Sequence, residues 1–280
     1  MLRENLMLRG NSACPGCQAN LALRHVLRAC GADTILILTP GCSAACQGIY
    51  PDTCINVPVL NTAFAAGAST AIGVAASTDS NVVVYAGDGA TADIGLASLS
   101  FALEYNTDFL YICYDNEAYG NTGAQRSGTT PYGARTTTTP GGKRQHKKDI
   151  DSIVCAHQIP YMATAAAAYP DDLYRKVKKA LSYKGSKFIH VLTPCPTLWG
   201  FPQEKSAYIG KLAIKTGAWV LYEKDSGKIS ISLWSKNILD KYLPLEDYLK
   251  AQSRFSGISD KDILELKRNM NESVKRLVQE

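Results

Sequence analysis

Short apolar runs alternate with amphipathic stretches along the first 200 residues of the chain. The apolar runs have the length of single strands, and the clearest cover residues 34–38, 82–85, 109–114, 161–165 and 188–192. The amphipathic stretches have the length of helices, and they cover residues 19–30, 93–105, 149–158 and 170–183. Strands that alternate with helices predict an α/β fold, with a parallel sheet and helices on both faces. We expect the last of these strands to close the sheet.

The pattern changes after residue 200. Short strand signals at 218–222 and 229–233 surround a turn at 224–227, and a charged helix is predicted from Asp260 to the end of the chain. We therefore divide the chain into an α/β domain, residues 1–200, and a C-terminal extension, residues 201–280. The extension is expected to wrap around a neighbouring subunit.

Polar residues end two neighbouring strands, where open α/β sheets bind ligands. Gly87 and Gly89 flank Asp88 after one strand, and Asn116 follows the next strand about 28 residues later. A carboxylate, an amide oxygen and the free N–H groups of a helix that begins near residues 91–93 suit a Mg²⁺ ion that bridges to a diphosphate. The pattern predicts such a site at this edge of the sheet.

Cysteines occur in loops that are expected at the same edge. Cys14 and Cys17 form a CxxC turn before the first helix, Cys42 follows the first strand, and Cys195 follows the last strand of the domain. A tetrahedral set of thiolates suits either Zn²⁺ or an iron–sulfur cluster. Cys46 lies one helical turn after Cys42 and is an alternative to Cys195 as the fourth ligand. The spacing alone does not choose between these possibilities.

Composition and charge narrow the class of protein. The chain is 46% hydrophobic and 20% charged with a net charge of +5, which is typical of a globular protein. Nine cysteines, an odd number, argue against a disulfide framework. No signal peptide or membrane-spanning run is predicted, so we expect a cytoplasmic protein that does not associate with membranes. No recognition pattern for nucleic acid accompanies the basic residues.

Residues 117–148 form a long polar loop, which is uncommon in a compact domain unless it is functional. We interpret its segment 129–142 as a lid or a partner-contact arm, with a flexible surface loop as the alternative. The basic cluster at 143–148 suits either a docking patch for an acidic electron carrier or a solvated loop. Upstream, the small residues of 60–77 predict a helix packed closely on the sheet or on a partner chain.

Two sequence strings together carry a family resemblance. GDGATADIG begins at Gly87, and DNEAYGNTGAQRSGTTPYGARTTTTPGGK begins at Asp115. A GDG turn alone is common, whereas the two strings at this spacing resemble the β chain of 2-oxoacid:ferredoxin oxidoreductases, most of all pyruvate:ferredoxin oxidoreductase. The GDG…N pair also resembles the thiamine diphosphate motif. The similarity extends from about Ser12 to Trp199 and more loosely through the tail.

The resemblance implies a thiamine diphosphate-binding fold and a specific reaction. Pyruvate, coenzyme A and oxidised ferredoxin would be converted reversibly to acetyl-CoA, CO₂ and reduced ferredoxin. Thiamine diphosphate would serve as the electron sink for decarboxylation, and an adjacent [4Fe–4S] cluster would accept the electrons singly. The same chemistry on oxalate, 2-oxoglutarate or 2-oxoisovalerate is the alternative.

The resemblance also implies roles for individual residues. It assigns Mg²⁺ to the side chains of Asp88 and Asn116 and to the carbonyl of Ala118. It assigns the [4Fe–4S] cluster to Cys14, Cys17, Cys42 and Cys195. Asn121 is the candidate catalytic residue, because it would reach both the aminopyrimidine of the cofactor and the substrate. The candidate cofactor-binding residues are Gly41, Cys42, Ser43, Gly87, Asp88, Gly89, Asn116, Ala118, Asn121 and Thr122.

The resemblance implies that the chain acts only with partners. The resembling enzymes take the carboxylate that activates the cofactor from another subunit, so we expect α-, γ- and δ-type subunits and an inactive isolated chain. Ferredoxin, coenzyme A and a 2-oxoacid complete the expected partners. One rival is a non-redox thiamine enzyme subunit with structural zinc held by Cys14, Cys17, Cys42 and Cys46. A non-catalytic thiol-rich scaffold or electron-transfer module that no longer binds thiamine is the other rival.

Overall fold

A computed structural model describes residues 5–236 and 242–279 of the chain. The first four residues of the amino-terminal segment and the last residue of the predicted C-terminal helix lie outside the described residues. The centre of the molecule is an eight-stranded sheet. Its strands are β1 (Thr34–Leu38), β2 (Val59–Asn61), β3 (Asn81–Gly87), β4 (Phe109–Asp115), β5 (Tyr161–Ala166), β6 (Ser186–Leu192), β7 (Tyr222–Asp225) and β8 (Lys228–Ile231).

Helices connect the strands and cover the sheet. A π-helical turn, Gly89–Ile94, precedes α4, and 3₁₀ turns cover Gln203–Lys205 and Ser253–Phe255. The α-helices are α1 (Gln18–Cys30), α2 (Cys42–Gln47), α3 (Gly67–Ala75), α4 (Leu96–Tyr105), α5 (Ile150–Cys155), α6 (Pro170–Ala180), α7 (Pro196–Trp199), α8 (Ser206–Lys215), α9 (Leu233–Lys236), α10 (Leu245–Lys250) and α11 (Asp260–Gln279).

The strand order across the sheet is β2-β1-β3-β4-β6-β5-β7-β8. Neighbours among β1 to β6 pair in parallel, whereas β7 pairs with β5 and with β8 in antiparallel fashion. The prediction that strand 188–192 closes the sheet is wrong, because β6 lies between β4 and β5 and all its residues are buried. The edge belongs to β8, whose exposure alternates along the strand. An all-apolar run indicates an interior strand rather than an edge strand.

Helices pack on both faces of the sheet, as the sequence predicts. Successive residues of β4 point to opposite faces. Leu110 and Ile112 contribute to one core, under α1 and α6, while Phe109 and Tyr111 contribute to the other, under α3 and α4. The Tyr111 ring stacks on Phe188 of β6, with 5.7 Å between centroids. The mostly parallel α/β fold is therefore confirmed.

The segment 60–77 differs from its prediction as one helix. Its first residues belong to β2, where Leu60 pairs with Ile37 of β1, and the helix begins only at Gly67. The small side chains of this segment bury little apolar area as a helix or as a strand. The backbone hydrogen bonds to β1 therefore outweigh the helix propensity of its first residues. The helix that follows packs closely: a Cβ at Gly67 would lie 2.8 Å from Thr39 Cγ2.

The chain after residue 200 is built onto the same sheet. The hairpin of β7 and β8 turns through Ser226 and Gly227, which both have positive φ, as a two-residue hairpin turn requires. Helices α8 and α10 form a third apolar cluster with Trp199 and Leu192. The described part of the predicted extension thus packs on its own chain, and its contact with partner subunits stays a prediction.

The parallel strands bring several loops to one edge. The strand that follows β1 in the sequence, β2, lies on one side of β1, and β3 lies on its other side. The connections therefore leave β1 and β3 in opposite directions, and a crevice opens between the carboxyl ends of these two strands. Open α/β sheets bind ligands at such a switch in strand order. The loops after β4 and β6 lie beside it, because Asp115 pairs with Leu192 at the ends of these strands.

No helix in the described part of the chain combines the length and the apolar character that crossing a bilayer requires.

Candidate functional site

The loops after β1 and β3 meet at one buried tyrosine. The hydroxyl of Tyr114, on β4, lies 3.2 Å from Ser43 Oγ and accepts a 3.4 Å hydrogen bond from the Ser43 N–H. A Cβ at Gly41 would lie 3.0 Å from this hydroxyl, and a Cβ at Gly87 would lie 3.3 Å from the ring. The ring stacks on Tyr85 at 4.7 Å between centroids. The predicted cofactor loops therefore share one rigid wall that excludes larger side chains.

Asp88 is a buried carboxyl group at the crevice. Thr129 Oγ1 lies 2.8 Å from Asp88 Oδ2 and 2.9 Å from Asp115 Oδ1. Since a hydroxyl has a single proton, it donates to only one of these carboxyl groups, and the other group must supply a proton itself. Burial, and then repulsion from Asp115, raises the pKa of Asp88 well above its usual value. Of the two carboxyl groups, Asp88 is therefore the one that holds a proton more readily.

Asp115 has a cation of its own. His190 Nε2 lies 3.0 Å from Asp115 Oδ2, and His190 Nδ1 lies 2.7 Å from Asp151 Oδ1. Burial opposes the ionisation of Asp115, but the hydrogen bond and charge of His190 outweigh it and lower the pKa of Asp115. Burial also opposes charge on His190, but Asp151 and Asp115 outweigh it and raise the pKa of His190 well above its usual value. An imidazolium between two carboxylates results.

The loop after β4 presents two of the predicted Mg²⁺ ligands. Asn116 Oδ1 accepts a 3.2 Å hydrogen bond from the Ala118 N–H, which orients the amide oxygen. The Ala118 carbonyl receives no hydrogen bond from the described residues, so it is available as a ligand. Glu117 between them has a φ of +62°, a strained conformation for this residue type. The indole N–H of Trp199 donates to the Asn116 carbonyl at 2.7 Å.

Glycines shape the walls around these ligands. A Cβ at Gly89 would overlap the ring of Tyr119, and a Cβ at Gly120 would lie 3.2 Å from Asn116 Nδ2 and 3.4 Å from Cys42 Sγ. Gly120 therefore lets the loop after β4 approach the loop after β1. This contact joins a predicted Mg²⁺ ligand to a predicted cluster ligand.

The candidate catalytic residue, Asn121, lies on the exposed side of this loop. The neighbouring Thr122 donates its hydroxyl proton to Gln125 Oε1 at 2.6 Å, and the Gln125 carbonyl accepts a hydrogen bond from the Tyr119 N–H. The exposed amide of Asn121 is thus held on an ordered turn, and its contact with cofactor and substrate stays a prediction.

The predicted cluster cysteines influence one another electrostatically. Burial raises the pKa of Cys42 to about 12, and the other three cysteines of the predicted set and Asp88 add to this shift. Burial raises the pKa of Cys195 to about 11, with smaller contributions from Cys17 and Cys14. These contributions link the CxxC turn to the loops after β1 and β6, and the role of the four cysteines as cluster ligands stays a prediction.

The metal ligand sets stay predictions. Over residues 5–236 and 242–279, no group of three or more histidine, cysteine, aspartate or glutamate side chains is arranged to hold a metal ion. Cys46 is buried, and Cys17 and Cys42 contribute to the rise of its pKa to about 12, behind burial itself. It therefore remains an alternative ligand.

The turn at residues 127–130 connects the acidic groups around the crevice. Its Gly128 N–H donates to Asp93 Oδ2 at 2.8 Å, and Thr130 Oγ1 donates to the Glu117 carbonyl at 2.6 Å. The ammonium of Lys143 is buried beneath the turn and donates to the carbonyls of Ser127, Gly128 and Thr130 at 3.3, 3.1 and 2.7 Å. The start of the predicted lid is therefore a fixed wall of the site, not a flexible surface loop.

The basic cluster at 143–148 is largely engaged within the chain. Burial lowers the pKa of Lys143 to about 8. Lys147 lies 3.6 Å from Glu117, Lys148 lies 3.1 Å from Asp93, and Arg144 lies 2.8 Å from Asp262. These contacts favour a structural role over the docking patch considered from the sequence.

Comparison with known proteins identifies the family. Residues 40–191 match the family model described as thiamine pyrophosphate enzyme, C-terminal TPP binding domain. The chain is 43% identical to pyruvate synthase subunit PorB of Methanocaldococcus jannaschii, over 98% of this chain and 97% of that protein. The chain belongs to the β subunits of 2-oxoacid:ferredoxin oxidoreductases.

A second relative is named for a different substrate, and a solved structure has a similar fold. The chain is 44% identical to ketoisovalerate oxidoreductase subunit VorB of Pyrococcus abyssi, over 98% of this chain and 93% of that protein. A solved structure of 2-oxoglutarate:ferredoxin oxidoreductase from Magnetococcus marinus has a similar fold, with a TM-score of 0.64, 24% identity and coverage of 70% of this chain and 69% of that one.

The sequence interpretation missed several residues of the site. Four residues that contact the predicted loops received no role from the sequence: Tyr114, Asp115, Thr129 and His190. Tyr114 and His190 lie inside apolar runs, whereas Asp115 and Thr129 belong to the family string that begins at Asp115. Asp115 next to Asn116, at the end of an apolar strand, was a usable signal. No signal in the sequence indicated the contact of Asp115 with His190, because this contact depends on the pairing of β4 with β6.

We predict that Thr129→Val lowers the free energy of unfolding by about 1–3 kcal/mol, because two buried carboxyl groups lose their shared hydrogen-bond partner. Thr137→Val is the matched control, since the Thr137 hydroxyl is exposed and donates only to the Gly123 carbonyl. Urea unfolding of both variants measures the difference. Equal midpoints for the two variants would contradict the bridging role of Thr129.

Proposed function

We propose that this chain is the thiamine- and cluster-bearing β subunit of a CoA-dependent pyruvate:ferredoxin oxidoreductase. The buried Asp88 carboxyl carries the proposal, because it directly follows β3 beside the crevice between β1 and β3, and burial, then repulsion from Asp115, raises its pKa. The PorB and VorB relatives, similar over nearly the full length, support the same class of reaction.

The residues at the crevice fit a Mg²⁺ ion with a diphosphate. Asp88, the amide of Asn116 and the Ala118 carbonyl are hard oxygen donors of the kind that Mg²⁺ prefers. The hydroxyl of Thr39, buried at the end of β1, has no hydrogen-bond partner among the described residues, so a ligand group would satisfy it. When bound, thiamine diphosphate supplies an electron sink for the carbanion that decarboxylation of a 2-oxoacid leaves.

The four cysteines fit an iron–sulfur cluster by their chemistry. A cluster binds thiolates. Burial together with repulsion from the other cysteines raises the pKa values of Cys42 and Cys195, so that cluster binding would release their protons. The buried hydroxyl of Thr193, two residues before Cys195, also lacks a partner among the described residues. We assign the cluster to Cys14, Cys17, Cys42 and Cys195.

The path between the two sites supports their cooperation. The Trp199 indole donates to the Asn116 carbonyl, and the Trp199 N–H donates to the Cys195 carbonyl at 2.9 Å. The loop after β4 and the loop after β6 are therefore joined through one residue, by its side chain and its backbone. In the assembled enzyme, Asn121 is proposed to contact the aminopyrimidine and the substrate, and residues 201–280 to contact other subunits.

Activity and substrate are tested with the enzyme complex that contains α-, γ- and δ-type subunits. We expect this complex to reduce a viologen dye with pyruvate and coenzyme A at a higher kcat/KM than with 2-oxoisovalerate, 2-oxoglutarate or oxalate. The isolated chain should be inactive, because it lacks the carboxylate that activates the cofactor. Pyruvate oxidation by the chain alone would refute the partner dependence, and a higher kcat/KM for another oxoacid would change the substrate.

The metal content separates the cluster from a structural zinc site. We expect the full-length chain, purified without oxygen, to contain about four iron and four sulfide per chain. Cys195→Ala should lose most of the iron, whereas Cys30→Ala, at the buried end of α1, should retain it. Iron and zinc analysis with EPR of the reduced protein measures this. If the protein instead contains one zinc per chain, and Cys195→Ala retains it, Cys46 would be favoured as the fourth ligand and the chain as a non-redox thiamine enzyme subunit.

The raised pKa of Asp88 predicts a pH dependence. Between the unfolded and folded pKa values, the metal-free folded chain binds more protons than the unfolded chain, so the Asp88 contribution to stability falls as pH rises. Binding of Mg²⁺–thiamine diphosphate should therefore release up to about one proton per chain below the folded pKa and tighten as pH rises.

Calorimetry in buffers of different ionisation enthalpy measures this proton release. Asp88→Asn should abolish the release and weaken binding, whereas Asp79→Asn, at an exposed carboxylate, should change neither. Unchanged proton release in Asp88→Asn would show that the proton comes from another group.

A further inference from the structure

Arg254, in the 3₁₀ turn before α11, contacts the 116–118 loop after β4, which is far from it in the sequence. Arg254 Nη2 lies 2.6 Å from Glu117 Oε2, and both side chains are about 95% buried. The contact is an ion pair but not a hydrogen bond, because Glu117 Oε2 has no hydrogen-bond partner among the described residues. Glu117 stands between Asn116 and Ala118, the proposed Mg²⁺ ligands. Arg254 therefore contacts the residue that lies between the two proposed ligands.

The guanidinium of Arg254 is itself held on several sides. Its Cζ lies 3.7 Å from the centroid of the Trp199 ring, a close stacking contact. Its Nε donates to Gln252 Oε1 at 2.8 Å, and its backbone carbonyl accepts a 2.8 Å hydrogen bond from the Arg135 N–H. A planar cation fixed in this way has little freedom to follow Glu117 if the loop moves.

The loop needs such support. Glu117 has a positive φ, a conformation that costs a non-glycine residue free energy and persists only where surrounding contacts hold it. The Glu117 N–H donates to Asp115 Oδ1 at 2.8 Å, and the Glu117 carbonyl accepts from Thr130, so backbone contacts determine part of the conformation. Arg254 supplies the contact to the Glu117 side chain. Without it, the buried carboxylate would keep one cation from the described residues, Lys147 at 3.6 Å.

We propose that Arg254 is a positioning residue that fixes the 116–118 loop in its metal-binding conformation against the Trp199 indole. This inference rests on the proposed function, because it assumes that the loop holds the Mg²⁺ ion of the cofactor. It assigns a task to the region after residue 200 that motif spacing does not predict.

The test measures metal affinity rather than turnover. In the enzyme complex, Arg254→Gln should weaken the binding of Mn²⁺ in the presence of thiamine diphosphate by about 10–100-fold, the usual effect of removing a residue that orients metal ligands. EPR of free Mn²⁺ measures the affinity. Arg144→Gln is the matched control, because Arg144 also forms a 2.8 Å ion pair but is exposed, and it should bind Mn²⁺ as the wild type does.

A conservative variant covers the case in which Arg254→Gln does not fold. Arg254→Lys keeps a positive charge beside Glu117 but loses the planar stack on Trp199, so it should fold and bind Mn²⁺ more weakly than the wild type. If neither Arg254 variant folds, Glu117→Gln removes the ion pair from the other side and should weaken binding in the same way.

The outcomes distinguish this inference from the proposed function. Wild-type affinity in a folded Arg254→Gln or Arg254→Lys variant, or in Glu117→Gln if neither folds, would overturn the positioning role and leave the proposed function intact. Failure of the wild-type complex to bind Mn²⁺ with thiamine diphosphate would overturn the proposed function instead.

Discussion

Two buried carboxyl groups that share one threonine hydroxyl set the electrostatics of this molecule's crevice. Asp88 and Asp115 cannot both be ionised at low cost, because burial removes the water that would separate their charges. His190 contacts Asp115 and lowers its pKa, whereas burial and repulsion from Asp115 raise the pKa of Asp88. Under the proposed function, a divalent cation at Asp88 would remove the remaining penalty.

The other acidic groups near the crevice each have a cation from a distant part of the sequence. Asp93 pairs with Lys148, and Glu117 pairs with Arg254. Lys143 pairs with no carboxylate in the described part of the chain and instead donates to three backbone carbonyls of the 127–130 turn. This arrangement leaves Asp88 as the acid of this group without a cation among the described residues, and it makes the site's walls rigid before any ligand binds.

Contacts within the chain also hold the loop after β4 next to the loop after β6, which carries Cys195. Parallel pairing of β4 with β6 aligns Asp115 with Leu192, and the Trp199 indole then reaches the Asn116 carbonyl. The C-terminal region packs under Trp199 through Tyr248 and Arg254. The region that looked like an appendage is therefore part of the support of the site.

The sequence alone determined the α/β class, most strand and helix positions, and the loops that carry Asp88, Asn116 and the cysteines, because apolar periodicity and glycine-flanked polar residues are local features. Only the tertiary structure decided the strand order and the partners of the buried charges. The place of β6 inside the sheet, the pairing of Asp115 with His190 and the reach of Arg254 to Glu117 depend on which elements become neighbours. That is a property of global packing, and no local spacing encodes it.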